Sequence, residues 1–342
     1  MTLITYPTRV HFADLILEEA LHSELESGGC RHPLLIAERD IMVSELADRV
    51  RSGLPRRNEP RELTFQSDSD LRKVAAGSID KAAIIDSIIA FGSAAAIELG
   101  RKCRHAQASQ LGVRPLLFAI PGVDGMPNPC TRNVESWRAG LPSVLICDPT
   151  VALAAEPRAR LWASVQSLVR CVESYLSQAY NPLADGIALE GVSRCLINLP
   201  KINADANLGV NRELMAVGLN AALAQEKGIG PALTISASLA DATETGDEIA
   251  IARLVLPAIT QNSTFDADKV AVLHKVLGAG EESLDQSIRR ILAGMPMPAS
   301  LSDMGIPRQA LDAAAKAASG KTGLTYASAL SALESIYEEA QP

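Results

Sequence analysis

The chain has 342 residues, which is long for one hydrophobic core, so two domains are expected. Hydrophobic residues make up 47% of the chain and charged residues 21%, the usual proportions of a globular protein. The net charge of −8 and the aromatic content of 4% argue against a nucleic-acid partner, which requires a basic face and aromatic side chains for base stacking.

The N-terminal segment and the cysteines predict a cytoplasmic protein with no membrane partner. MTLITYPTRVHFADLILEEAL contains an arginine and several acidic residues where a signal peptide needs a continuous apolar stretch. No apolar run in the sequence reaches the length of a membrane span. The six cysteines are scattered, with no C-x-x-C pair, which is typical of free thiols in a reducing compartment and not of a disulfide framework or a zinc cluster.

The first half of the chain predicts a doubly wound α/β domain, because short apolar runs alternate with helical patterns. The predicted strands are His32–Glu38, Glu62–Ser67, Ala82–Gly92, Pro115–Pro121 and Ser143–Pro149. The predicted helices are Ile41–Val50, Ser69–Gly77 and Ala94–His105. A strand that is followed by glycine, small residues and a helix, as at Gly92, is the arrangement with which such folds hold a phosphate at a helix N-terminus.

After about Ala155 the strand signals stop, and an all-α second domain is predicted. Its helices are Pro157–Ala179, Pro182–Leu199, Asn211–Gln225, Asp247–Leu256, Asp266–Leu277, Glu282–Leu292 and Pro307–Ala318. The predicted breaks between them are Gly228–Pro231, Pro257, Gly278–Gly280 and Gly294–Pro298. The predicted domains are therefore 1–154 and 155–342, with a small-molecule site in the cleft between them. The alanine-rich helices are compatible with a homodimer face, although no segment marks one.

The helix that begins at Pro157 carries the residues on which the function depends. The residues that predict its buried face are Leu161, Val165, Leu168 and Val172. Gln166, Arg170 and Glu173 follow one another at offsets of four and three, so their side chains lie along one line beside that face. If the first two were Asp and His, one helical turn would bring both to a metal ion, but arginine cannot ligate a metal at neutral pH.

Five segments, in their order and spacing, carry a resemblance to a known family. They are IIAFGSAAAIELGRK (Ile88–Lys102), LLFAIPGVDG (Leu116–Gly125), LPSVLICDPTVALAAEP (Leu141–Pro157), CVESYLSQAYNPLADGIALEGVSRCLINLP (Cys171–Pro200) and MPASLSDMGIP (Met297–Pro307). Together they resemble the iron-containing alcohol dehydrogenase family, and within it the maleylacetate reductase branch, over nearly the whole chain. The resemblance implies the fold shared with dehydroquinate synthase, in which an α/β dinucleotide-binding domain precedes an all-α domain.

The resemblance also implies that Fe(II) or Zn is bound by an Asp (Asn in the maleylacetate reductase branch) and three histidines, but this sequence does not keep those ligands. The first two positions fall on Gln166 and Arg170. The motif G-x-x-H-x-x-x-H falls on GIGPALTI, which puts Pro231 and Ile235 at the histidine positions. The last histidine is missing from TETGDEIAIARLVLP. Since proline and isoleucine cannot replace imidazole, neither iron nor zinc is expected.

The family's dinucleotide motifs are altered as well. Its GGGS loop has become GSAA, and each added Cβ narrows the approach of a pyrophosphate to the backbone. The family's IPTT threonines, which the resemblance implies contact the cofactor, are replaced by Gly and Val. NAD(P)H binding is therefore expected to be weak or lost. The residues predicted to contact the cofactor are Gly92, Ser93, Ala94, Ala95, Gly122 and Val123.

Three residues are predicted as catalytic, each with a structural alternative. Arg170 is expected to bind a substrate carboxylate or a developing oxyanion in the cleft, or to form an intrahelical ion pair with Glu173. Gln166 is expected to orient a substrate carbonyl, or to be an ordinary polar helix residue. Asp124 lies in a loop after a strand, where open α/β sheets place ligand contacts.

Four carboxylates crowd the part of the sequence in which the last histidine is missing. They are Asp241, Glu244, Asp247 and Glu248. Carboxylates that face a cleft act as general bases, whereas a solvated acidic loop is the structural alternative.

Two functional hypotheses follow. The first keeps the inherited chemistry, a metal-independent, NAD(P)H-dependent reduction of a small keto or unsaturated carboxylic acid of the aromatic ring-cleavage type. The second is that hydride transfer is gone, so that the same cleft serves hydrolysis, isomerisation or C–C cleavage, or only binds a ligand or partner. Binding of a nicotinamide cofactor discriminates between them.

Overall fold

The computed structural model describes residues 8–66, 85–122, 141–153, 156–202, 207–243, 247–262, 265–278, 280–293 and 295–338. The chain divides into an α/β unit, Leu3–Arg160 with Lys201–Ala216, and a helical unit, Leu161–Pro200 with Val217–Pro342. The predicted domain boundaries, 1–154 and 155–342, remain a prediction. The predicted helix Ser69–Gly77 lies outside the described residues.

A parallel sheet forms the centre of the α/β unit. Its strands are β1 (Arg9–Phe12), β2 (Pro33–Glu38), β3 (Arg61–Phe65), β4 (Ser87–Gly92), β5 (Leu116–Pro121) and β6 (Val144–Cys147). They lie in the order β1-β6-β5-β4-β2-β3, and all the described pairings are parallel. The sequence predicts every strand except β1, because the four residues RVHF are too few and too polar to give a strand signal.

The strand register determines where a ligand can bind. Ile36 of β2 pairs with Ala90 of β4, and Gly92 pairs with Pro121 of β5. The carboxyl ends of these three strands therefore meet at one edge of the sheet, next to residue Glu38. In open α/β sheets, ligands bind beyond this edge.

Helices α1 (Leu17–Ser27), α2 (Glu45–Ser52) and α3 (Ala94–Leu111) belong to the same unit. The near-continuous apolar sequences of β2, β4, β5 and β6 are typical of strands that are covered on both faces. Side chains of α1 and α2 pack on the sheet in one buried cluster that includes Leu21, Leu25, Leu35, Val50, Phe91 and Phe118.

Asp148, directly after β6, joins the sheet to α1 and α2. Its buried carboxylate accepts the backbone N–H groups of Leu15 (3.0 Å) and Leu17 (3.2 Å) and the Arg49 guanidinium (2.8 Å). Burial by itself raises the pKa of Asp148, but hydrogen bonds from Thr150 and Arg49 outweigh it and hold the pKa below its ordinary value. The carboxylate is therefore charged at neutral pH and stabilises the unit.

From Pro157 onward the described residues form helices and no strand, as the sequence predicts. The helices are α4 (Pro157–Leu176), α5 (Pro182–Asn198), α6 (Leu208–Ala224), α7 (Pro231–Thr243), α8 (Glu248–Asn262), α9 (Ala267–Leu277), α10 (Leu284–Ala293), α11 (Ala310–Ala318) and α12 (Tyr326–Ser335). Among the described residues, no helix combines the length and the apolar character needed to cross a bilayer.

The sequence misses α1, α7 and α12, and it is wrong about the end of α8. Pro257 is predicted as a break, but it lies inside α8. Its neighbours Leu256 and Ala258 are buried, and α8 packs along α7. We attribute the continuation of the helix to this burial, which compensates for the hydrogen bond that proline cannot donate.

The substitution Asp148→Asn is expected to lower the free energy of unfolding by about 3 kcal/mol at neutral pH, because a buried charged partner of Arg49 is lost. Since the folded pKa of Asp148 is lowered, its contribution is present above the ordinary pKa and is lost as the pH falls through the folded value. The difference between the variant and the wild type should therefore shrink in acid.

Urea unfolding measures this difference. The control is Asp48→Asn, which removes the exposed partner of Arg51 and should change stability by less than about 1 kcal/mol. Equal losses in the two variants would contradict the prediction.

Candidate active site

Helix α4 carries two of the three predicted catalytic residues, Gln166 and Arg170. Leu161, Val165, Leu168 and Val172 are buried, which confirms the apolar face predicted from their spacing. Gln166 is half-buried, and Arg170 is only 1% exposed. The sequence therefore predicts the helix and its orientation correctly, whereas the predicted roles of Gln166 and Arg170 stay predictions.

Glu173 connects α4 to the start of α7. Its buried carboxylate accepts the backbone N–H groups of Ala232 and Leu233, the latter at 3.2 Å. The expected alternative, an ion pair between Glu173 and Arg170, is wrong for the described part of the chain, because this carboxylate binds the N-terminus of α7 instead. A carboxylate at this position satisfies two amides that have no partner within the helix.

Gly230, directly before α7, permits this contact. A Cβ atom at residue 230 would overlap with the side chain of Glu173. Burial raises the pKa of Glu173 to about 7, although the hydrogen bonds from Ala232 and Leu233 act in the opposite direction.

The family's two histidine positions on α7 are occupied by side chains that bind no metal. Pro231 is the first residue of the helix, where its missing N–H costs nothing, and Ile235 is fully buried. Among the described residues, no group of three or more His, Cys, Asp or Glu side chains could hold a metal ion. With Gln166 and Arg170 at the other positions, the donor set does not fit iron or zinc.

Glu248 is the first residue of α8, and its side chain is half-buried. Burial raises the pKa of Glu248, the Arg170 guanidinium lowers it, and Asp241 raises it further. Asp241 and Asp247 are exposed, which agrees with the solvated alternative for these two residues. Glu244 lies outside the described residues.

The carboxyl end of α4 is held by two lysines. The ammonium groups of Lys227 and Lys269 each donate to the carbonyl oxygen of Ser177 at 3.1 Å, and both contact Asp185. Positive charges stabilise the carboxyl end of a helix. The Glu173 contact and these two lysines thus fix the carboxyl-terminal part of the helix that carries Gln166 and Arg170.

In the α/β unit, the predicted cofactor residues form a turn between β4 and α3. Gly92 has φ +96°, a conformation that favours glycine, and the Gly122 N–H donates to its carbonyl oxygen at 2.7 Å. Ser93 caps α3 by accepting the Ala96 N–H at 3.2 Å. Ala94 begins the first turn of α3.

Ala95 follows Ala94 in this turn, and both alanines are half-exposed, so their methyl groups border the approach to it. A glycine with positive φ directly before a helix N-terminus is an arrangement that binds phosphate in such folds, and the two methyl groups narrow the approach to it. Val123 and Asp124 lie outside the described residues.

Glu38 contacts this turn from a neighbouring strand, and its role is not predicted from the sequence. It ends β2, and its carboxylate accepts the hydroxyl of Ser93. The available signal is an acidic residue at the carboxyl end of the apolar strand PLLIAE, beside the strand that precedes the glycine. An acidic side chain near such a turn is the group that binds a ribose hydroxyl in dinucleotide-binding folds.

Comparison with known proteins identifies the family. The sequence model of the Fe-containing alcohol dehydrogenase family, C-terminal, matches residues 161–335, which is more than half of the chain. The chain belongs to the Fe-containing alcohol dehydrogenase family. It is thus a member of an oxidoreductase family, as the sequence resemblance implies.

Relatives and solved structures agree with this assignment. The 4-hydroxybutyrate dehydrogenase of Cupriavidus necator is 24% identical over 360 residues, 91% of this chain and 92% of that protein. Maleylacetate reductase from Agrobacterium tumefaciens has a TM-score of 0.75 at 17% identity, covering 100% of this chain and 99% of that chain. Sulfoacetaldehyde reductase from Bifidobacterium kashiwanohense, solved with NAD+, has a TM-score of 0.80 at 14% identity, covering 98% and 99%. The structures confirm the predicted fold.

The substitution Gly230→Ala is expected to destabilise the protein by about 1–3 kcal/mol, because the added methyl group displaces the Glu173 carboxylate from the amides of α7. Urea unfolding measures the loss. The matched control is Gly186→Ala on an exposed turn of α5, where a Cβ meets nothing within 4 Å. This substitution should raise the free energy of unfolding by up to about 1 kcal/mol. A stabilised Gly230→Ala variant would contradict the proposed contact.

Stability is also expected to fall between about pH 5 and pH 7, by at most about 1.4 kcal/mol per pH unit, because of Glu173. The folded pKa of Glu173 is raised, so its contribution is present below the ordinary pKa and is lost as the pH rises through about 7. The substitution Glu173→Gln should flatten this slope, whereas Glu281→Gln on the surface should not. An unchanged slope in Glu173→Gln would assign the pH dependence to other groups.

Proposed function

We propose that the protein is a metal-independent, nicotinamide-dependent reductase of a small carboxylic acid that carries a keto, aldehyde or unsaturated group. The observation that carries the proposal is the replacement of the family's metal donors by a buried arginine. Arg170 places a permanent positive charge on α4, where the side chain is almost fully buried. A fixed cation can stabilise negative charge that develops on a carbonyl oxygen.

The cofactor proposal rests on the turn at Gly92. Its positive φ and the Ser93 cap are kept, so the turn and the N-terminus of α3 would hold the pyrophosphate. When bound, a reduced nicotinamide supplies the hydride. Glu38 would accept a ribose hydroxyl and repel a 2′-phosphate, which favours NADH over NADPH.

The substrate proposal rests on charge and on the names of similar proteins. The 4-hydroxybutyrate dehydrogenase, the maleylacetate reductase and the sulfoacetaldehyde reductase are each named after a small compound with an acid group. We infer the same class for this chain, with ring-cleavage acids as the first candidates. A homodimer and a cytoplasmic location remain part of the proposal.

The alternative is a non-redox reaction on a related acid. The observation that favours it is the pair Ala94 and Ala95, whose methyl groups border the phosphate turn. A chain that no longer binds nicotinamide would need no space there. Cofactor binding therefore decides between the two functions.

Titration with NADH is expected to show saturable binding at roughly micromolar concentration, with NADPH at least about tenfold weaker. The titration is followed by nicotinamide fluorescence on protein whose iron and zinc contents are measured by elemental analysis. Glu38→Gln should narrow the preference for NADH, because it removes the charge that repels the 2′-phosphate.

Glu45→Gln, at an exposed position of α2, is the control and should keep the wild-type preference. Metal-free protein that binds NADH and oxidises it with a keto or aldehyde acid supports the reductase. Absence of binding to either cofactor would refute it and favour the non-redox alternative, and activity that appears only with added metal would refute metal independence.

A further inference from the structure

The side chain of Glu38 lies against the turn between β4 and α3. One carboxylate oxygen, Oε1, accepts the hydroxyl of Ser93, and the other, Oε2, lies 3.6 Å from the position that a Cβ atom would take at Gly92. The side chains of Glu38 and Ser93 are only half-buried, so part of each is accessible to a ligand at the turn. The carboxylate therefore contacts the segment that the proposed function assigns to the dinucleotide.

The sheet holds the backbone on both sides of this contact. Glu38 pairs with Phe65 of β3, and the N–H of Arg39 donates to the Phe65 carbonyl oxygen at 3.0 Å. Gly92 pairs with Pro121 of β5. The remaining freedom of Glu38 is therefore in its side-chain torsions, and a long side chain loses conformational entropy when it is held in one orientation.

Ser93 supplies a group that holds the carboxylate. Its oxygen accepts the N–H of Ala96 at 3.2 Å, and its hydrogen is directed to Glu38, because a carboxylate has no hydrogen to donate. The hydroxyl is thus fixed at both ends. Hydrogen bonds to charged acceptors are among the stronger ones in proteins. Ser93 therefore fixes where the negative charge of Glu38 lies relative to the turn.

The contact depends on the serine. Ser93 directly follows Gly92, at a position where the family's GGGS loop has a glycine. Glycine has no hydroxyl to donate, so a chain with that glycine cannot hold an acidic residue in this way. The contact is a feature of this sequence.

We infer that Ser93 is a specificity-determining residue of the cofactor site, because it holds the Glu38 carboxylate at the turn and thereby sets the preference for NADH over NADPH. A carboxylate that is already held accepts a ribose hydroxyl without a further loss of side-chain freedom, and it cannot turn away from a 2′-phosphate. A released carboxylate can turn away, so the repulsion weakens. Ser93 acts through Glu38 and is a positioning residue. The inference rests on the proposed function, since it assigns a role at the turn that would hold the dinucleotide.

The test compares the dissociation constants of NADH and NADPH in the wild type and in Ser93→Ala, measured by nicotinamide fluorescence. The ratio of the NADPH constant to the NADH constant should shrink by about three- to tenfold in the variant, because one long side chain loses its fixed orientation. Ser93→Thr keeps the hydroxyl and should retain the wild-type ratio. Circular dichroism and thermal melting verify that each variant is folded. An unchanged or larger ratio in folded Ser93→Ala would overturn the inference.

The loss of a helix cap in Ser93→Ala needs a matched control. Thr325→Ala deletes the capping hydroxyl of α12, which accepts the Ser328 N–H at 3.1 Å, and it should leave the ratio unchanged. A purely structural loss at Ser93 would weaken the binding of both cofactors alike. The ratio is therefore the quantity that reports on the Glu38 carboxylate.

The double variant Glu38→Gln/Ser93→Ala shows whether the serine acts through the carboxylate. Since Glu38→Gln already removes the charge, the additional Ser93→Ala change should alter the ratio by less than about twofold. Equal narrowing of the ratio in both backgrounds would overturn the positioning role and assign Ser93 an effect of its own.

ADP-ribose and its 2′-phosphate separate this inference from the proposed function, because neither ligand carries a nicotinamide. Calorimetry should show tighter binding of ADP-ribose, and Ser93→Ala should narrow the difference between the two ligands. If they follow this pattern while no carbonyl acid oxidises NADH, the reductase fails and the role of Ser93 stands. If NADH is oxidised and Ser93→Ala keeps the wild-type ratio, the reductase stands and the role of Ser93 fails. Absence of binding by all four nucleotides would overturn both.

Discussion

The contact between the Glu173 carboxylate and the amides of α7 is the interaction on which the candidate site depends. A charged or neutral carboxyl group is costly to bury unless its oxygens are hydrogen-bonded, and here two backbone N–H groups of a helix N-terminus provide these bonds. The contact requires a residue without a side chain at Gly230. It joins the start of α7 to α4, the helix that carries Gln166 and Arg170, and α8 packs on α7. Loss of this contact would remove the hydrogen bonds that hold the start of α7 against α4.

A guanidinium differs from a metal ion in what it can do for a reaction. Arginine keeps its charge at every accessible pH, cannot be removed by a chelator and accepts no ligand, so it stabilises a negative oxygen only through its field and its N–H groups. A metal also lowers the pKa of bound water and so supplies protons, which arginine cannot do. If Arg170 replaces the metal, as we propose, the proton that the product needs has to come from a separate acid.

The turn at Gly92 shows two constraints that act on neighbouring residues for different reasons. The positive φ of Gly92 is required by the chain itself, because the strand must enter α3 within one residue, and glycine is kept there. At residues 94 and 95, only the approach of a ligand would require glycine, and both residues are alanines, which carry a methyl group. Folding therefore requires glycine at residue 92 whether or not a dinucleotide binds. The size of the side chains at residues 94 and 95, in contrast, matters only if a dinucleotide binds. The cofactor titration measures this second constraint directly.

The sequence by itself determined the class of fold, the parallel sheet, the run of helices after Pro157 and the buried face of α4, because apolar periodicity is written in consecutive residues. It also predicted that the family's metal donors are replaced at the positions that the resemblance assigns to them, since the identity of a side chain is read without a structure. It missed α7, whose Gly-Pro start imitates a break, and misplaced the end of α8, where burial around Pro257 outweighs a local rule. Only the tertiary structure decided that Glu173 binds α7 and that Glu38 reaches Ser93. These pairs are far apart in the chain, and no local pattern encodes a contact that forms when separate elements pack.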